Sequence, residues 1–97
     1  MAQVKYTTRS LESLERIFAF LVERDLASGA NAVVAVRAAI EILAKHPLIG
    51  RSIGNDLREL VISHGSTGYV ALYWFLPGRN DVFVLAIRHQ RELDYLA

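Results

Sequence analysis

Apolar residues recur along this chain in two different rhythms. From Leu11 onward, Leu14, Ile17, Phe18, Leu21 and Val22 fall three and four positions apart, while Glu12, Glu15, Arg16, Glu23 and Arg24 take the other side. That spacing predicts an amphipathic helix. It is expected to stop near Ser28-Gly29, with Asn31 starting a second helix in which Val33, Val36, Ile40 and Leu43 make one apolar stripe. Pro47 closes this hairpin, because proline disfavours helical geometry at His46 and lacks the amide that a continuing helix needs.

The rhythm then changes. Residues 57–63, 69–76 and 82–88 read as strands, separated by the turn formers SHGSTG and PGRND, and so connect as an antiparallel meander. The segment PLIGRSIGND before them reads as a loop. Near the start, QVKYT alternates polar and apolar side chains and predicts a short strand, with Thr8 or Ser10 placed to cap the first helix. The expected fold is α+β: an N-terminal strand, a helical hairpin and a three-stranded antiparallel meander, with the helices packed on one sheet face. Leu14, Phe18, Leu21, Val36, Ile40 and Leu43 are the expected core, and the other sheet face is left for function.

Composition narrows the class. Ninety-seven residues with 53% hydrophobic content suit a single domain over 1–97. The absence of cysteine excludes disulfides and thiolate-bound metal, and fits a reducing cytoplasm. The longest apolar runs fall short of the roughly 20 residues of a membrane helix, and MAQVKYTTRS has no signal-peptide core. A soluble protein without a membrane partner is expected. A formal charge of +1 argues against a general polyanion binder, so any such site has to be local. No histidine–carboxylate spacing of a metal site and no glycine-rich phosphate loop occurs, so no cofactor is expected.

Four stretches carry a family likeness: HPLIGR at 46–51, LRELVI at 57–62, GYVALYWF at 68–75 and VLAIRHQRE at 84–92. In this element order and at this length they resemble the RelE/ParE superfamily of toxins, and the resemblance covers essentially the whole chain. It implies the toxin of a plasmid-stabilisation type toxin–antitoxin module, masked by a cognate antitoxin, with a homodimer or a toxin–antitoxin hetero-oligomer as its assembly. It also implies one of two targets. RelE-like members cut messenger RNA on the ribosome, whereas ParE-like members poison DNA gyrase without catalysis of their own. In the RelE-like pattern an arginine directly follows Gly-Tyr, where it stabilises charge on the phosphate under attack. Here that position is Val70. A gyrase-binding protein that is not an enzyme is therefore the favoured reading, with a metal-independent, ribosome-dependent endoribonuclease and a degenerate member that only binds antitoxin as alternatives.

Arg88, His89 and Arg91 crowd four positions after the last apolar strand, where cations can grip phosphate or an acidic protein surface, and His89 can carry a proton. The plainer account pairs Arg88 with Glu59 or Glu92. Arg58 is expected on the same surface as this cluster, or paired with Glu59. Tyr69 and Tyr73 share one strand face and Trp74 the other; if Trp74 is core, the two tyrosines belong to a binding surface. Tyr95 resembles the C-terminal tyrosine that RelE-like enzymes use as acid or base, with a stacking surface or simple packing on the sheet as the alternatives. A nuclease would draw on Arg58, Arg88, His89, Arg91 and Tyr95; a target-binding surface on Arg58, Tyr69, Tyr73, Arg88, His89 and Arg91. A mean hydropathy of +0.25 is high for so small a domain and predicts an exposed apolar patch.

Overall fold

The computed structural model describes residues 1–65 and 67–91. Among them run strand β1 (Gln3–Tyr6), helix α1 (Thr8–Val22), helix α2 (Leu26–Glu41) continued by a 3-10 turn (Ile42–Ala44), and strands β2 (Arg51–Gly54), β3 (Leu57–His64), β4 (Thr67–Leu76) and β5 (Asp81–His89). The described strands form one sheet in the order β1-β5-β4-β3-β2. β3, β4 and β5 make the expected meander, while β1 lies parallel to β5, so the sheet is mixed. Helix α1 packs on β5 and α2 on β3, which places both helices over one face.

That face holds the core. Leu14, Val36, Ile40 and Leu43 are buried as the helical stripes require, joined from the sheet by Ile62, Tyr69, Ala71, Tyr73, Val84 and Ile87. Leu21 packs at the core's margin and is partly buried. Phe18 differs from expectation: it is 37% exposed, because it stands at the seam between the helices rather than over the sheet.

The seam also corrects the helix boundaries. Gly29 does not end α1; it lies inside α2, where a Cβ would stand 3.2 Å from the Phe18 carbonyl oxygen and 3.3 Å from the Val22 amide nitrogen. Its missing side chain lets the two helices approach, a use that sequence alone does not separate from a helix stop. Helix α2 begins earlier than Asn31, with Asp25 accepting from the Ala27 amide as its cap. Thr7, not Thr8 or Ser10, caps α1, accepting from the Ser10 amide while its hydroxyl donates to the Val84 carbonyl.

Strand β2 lies in what reads as a loop. All four of its residues are exposed, so it shows no alternation, and its register with β3 shifts between Ser52 and Gly54. Asn55 and Asp56 both take positive φ, the backbone of a tight hairpin turn.

Candidate functional site

Sheet pairing decides which of the expected site residues share a surface. Directly opposed residues on neighbouring strands lie on the same face. Arg58 pairs with Tyr73 and His89 with Tyr69, both on the helix-covered face, whereas Arg88 pairs with Val70 on the other. Arg58 and His89 are separated along β4 by the four steps between Tyr73 and Tyr69, roughly 13 Å. The expected common surface for Arg58, Arg88 and His89 therefore does not form. Tyr95 lies outside the described residues.

At one end of the sheet, Arg58 and Tyr73 hold the loop that leads into β2. The Arg58 guanidinium donates to the carbonyls of Gly50 and Leu48 at 2.7 and 3.2 Å. Tyr73 is fully buried, and its hydroxyl donates to the Pro47 carbonyl at 2.7 Å. Burial pushes the Tyr73 hydroxyl pKa up, against the opposing pull of the Gly50 amide and the Arg58 charge. Both residues, expected at a target surface, are thus tied to this loop, Tyr73 buried and Arg58 half-buried. Trp74 is the aromatic that faces outward, 38% exposed. Arg51 donates to Glu59 through Nε and Nη2 at 3.1 and 2.7 Å, an ion pair across the β2–β3 hairpin.

The opposite end holds a cleft between the C-terminal half of α1 and the paired ends of β4 and β5. Its lining joins Ile17, Phe20, Leu21 and Tyr69 with the polar Arg16, Arg24, Thr67, His89 and Arg91. The described lining includes three arginines and no carboxylate, over an apolar floor. The His89 ring stands edge-on to Tyr69 with centroids 5.4 Å apart and planes at 86°. Its Nε2 meets the Thr67 hydroxyl, and its Nδ1 accepts from the Arg91 amide at 3.1 Å. Burial alone raises the Tyr69 pKa. Arg16 donates to the Ile87 carbonyl at 3.3 Å, and the Arg24 guanidinium lies 4.6 Å from the Phe20 ring centroid.

The helical pattern assigns Arg16 and Arg24 to the solvated side of α1, whereas the structure sets both at the cleft. The signal that finds them is the four-residue interval Arg16, Phe20, Arg24, which lays two cations and a ring along one line. Arg88 stays apart on the other sheet face, donating to the His89 and Gln90 carbonyls at 3.3 Å each.

Residues 4–94 match the family described as ParE toxin of type II toxin–antitoxin system, parDE. The chain belongs to this ParE toxin family. Its curated relatives include Toxin RelE3 of Caulobacter vibrioides, 30% identical over 95% of this chain and 98% of that one. Toxin RelE1 of the same organism is 34% identical over 92% of this toxin and 94% of the relative. Among solved structures, the toxin fold is shared with the chromosomal ParDE system from P. aeruginosa, with a TM-score of 0.75 at 19% identity, covering 92% of this chain and 96% of the other. It is shared too with the intact E. coli RelBE complex, TM-score 0.67 at 17% identity, covering 95% and 100%.

Proposed function

We propose that this toxin arrests growth by binding DNA gyrase, that it catalyses nothing itself, and that a cognate antitoxin masks it. One observation carries the reading: among the described residues Arg58 and Arg88 do not join His89 and Arg91, and the arginine of the RelE-like pattern is absent. Acid–base attack on a phosphate asks that a charge stabiliser and a proton carrier reach one reacting atom from about 3 Å. Arg88 lies across the sheet from His89, Arg58 holds a loop at the far end, and Val70 puts an aliphatic side chain where the RelE-like pattern has its arginine. What does converge is a cationic, partly apolar cleft of Arg16, Arg24, His89 and Arg91. Such a cleft suits adhesion to an acidic protein or DNA–protein surface. Family membership and solved neighbours that are toxin–antitoxin complexes support the antitoxin.

A ribosome-dependent endoribonuclease is the second reading, favoured by the RelE names of the curated relatives. The deciding experiment runs two assays side by side: trapping of cleaved plasmid by purified gyrase, and transcript cutting in a translating extract. Gyrase-bound linear DNA with intact transcript is the expected result. Cut transcript without gyrase trapping overturns the proposal, and neither activity leaves a protein that only binds antitoxin.

A further inference from the structure

Phe20 lines the cleft with its ring 57% exposed, four residues from Arg16 on one side and four from Arg24 on the other. The Arg24 guanidinium lies 4.6 Å from the ring centroid, so ring and cation form one platform, an apolar plate beside a fixed charge. Across the cleft, His89 Nδ1 accepts from the Arg91 amide, which leaves the ring's proton on Nε2. Nε2 then donates to the Thr67 hydroxyl, whose own proton is left to donate elsewhere. A neutral imidazole that donates to a hydroxyl cannot take its proton, so this pair binds rather than reacts. Of the two carboxylates beside Arg24, Asp25 is turned to α2, accepting from the Ala27 amide at 3.3 Å and the Ser28 hydroxyl at 2.9 Å, and Glu23 is exposed outside the lining. The C-terminal end of α1 adds about half a negative charge, which the three arginines of the lining outweigh.

We propose that this cleft binds single-stranded DNA, with a base stacked on Phe20, phosphates held by Arg16, Arg24 and Arg91, and Thr67 as a hydroxyl donor. The proposal rests on the cleft being the toxin's target surface, and it names what that surface reads: an unpaired stretch of the DNA that gyrase holds. The ring favours a single strand over a duplex, because only an unpaired base offers its face for stacking. The volume agrees, since about 710 Å³ is the size of a small-ligand pocket and does not admit a duplex. An acidic protein would satisfy the arginines but leave the exposed ring in water. Cations interleaved with an aromatic plate are the arrangement that holds a strand without reading its sequence. A chain of net charge +1 can hold a polyanion only through such a local group. The cleft also opens on the sheet face opposite Val70, away from the place where the RelE-like pattern sets its arginine.

Fluorescence anisotropy of labelled oligo-dT with the purified full chain, in the absence of gyrase, tests this. Binding should weaken with salt along a log–log slope of about −2, as three neutralised phosphates of a single strand require. Arg24→Ala should flatten that slope by about 0.7. Phe20→Ala should weaken binding about tenfold at an unchanged slope. Both positions are exposed, so circular dichroism should match the parent's. Phe20→Trp should retain binding and show quenching of its indole by the strand, while Trp74, at the other end of the sheet, should not respond in the parent. A parent that binds no oligo-dT overturns the proposal, and so does undiminished binding by Phe20→Ala. Polyglutamate or a duplex bound as tightly as oligo-dT assigns the cleft to bare charge and overturns it. Oligo-rU bound about tenfold tighter than oligo-dT assigns the cleft to RNA and equally overturns it. With gyrase absent, none of these results bears on plasmid trapping, so the strand site and the gyrase reading stand or fail separately.

Discussion

The amide of Gly50 donates to the hydroxyl of Tyr73 over 2.9 Å, at a point where a Cβ on Gly50 would stand 2.6 Å from the same oxygen and from Cε1 of the ring. Loop and strand are therefore fitted to each other with no room for a methyl group. Gly50→Ala should destabilise by about 1–3 kcal/mol through overpacking. Tyr73→Phe should cost about 1–3 kcal/mol by leaving the Gly50 amide and Pro47 carbonyl without their partner. Urea unfolding measures both, and a midpoint unchanged from the parent would show that the loop yields freely.

Burial separates leucines that the sequence pattern treats alike. Leu43 is fully enclosed, and Leu43→Ala should cost about 2–5 kcal/mol. Leu21 borders the cleft and is only partly buried, so Leu21→Ala should cost less, about 1–2 kcal/mol. Equal losses in chemical denaturation would contradict this ordering.

The cleft and the opposite sheet face make separable claims on toxicity. Arg24→Ala combined with Arg91→Ala should relieve growth inhibition after induced expression, while Arg88→Ala should remain close to the parent. Stability should change by under about 1 kcal/mol for the exposed Arg24 and Arg91, while the half-buried Arg88 should cost about 1 kcal/mol. Immunoblots and circular dichroism confirm that the variants accumulate folded. Full toxicity in the cleft variant, or its loss in Arg88→Ala, would move the target surface elsewhere.

Alkaline pH should unfold the protein through its tyrosines. Burial holds the hydroxyl pKa values of Tyr6, Tyr69 and Tyr73 above the ordinary 10.0, with the Arg37 charge partly opposing the rise at Tyr6. The folded state thus keeps protons that the unfolded chain releases first. This stabilisation is complete below pH 10 and is lost as pH climbs through the folded values. Denaturation midpoints should hold steady to about pH 10 and fall beyond it. Tyr69→Phe should make that fall shallower, and an equally steep one would exclude Tyr69 as a source.

Much of this architecture is legible in the sequence because core residues obey one period per element. Leu14, Val36, Ile40 and Leu43 announce the helix face, and β3 to β5 announce themselves by apolar runs between turn formers. β2 is not legible, since a fully exposed edge strand alternates nothing, and only the Asn55-Asp56 pair marks its turn. Gly29 misleads because a glycine that admits a neighbouring helix looks like one that ends its own. The site was legible in charge but not in place. Arg58, Arg88 and His89 appear as one group until pairing with Tyr73, Val70 and Tyr69 assigns each its face and end.

The parallel pairing of β1 with β5 also governs when the protein comes into being. Residues Gln3 to Tyr6 find their partners at Asp81 to Val84, across nearly the whole described chain. Closing so long a loop is entropically slow, and it waits until β5 has left the ribosome. Until then Val4 and Tyr6 lack the strand that encloses them, and the His89 side of the cleft does not exist. A nascent chain therefore lacks both its closed sheet and its cleft over most of its synthesis.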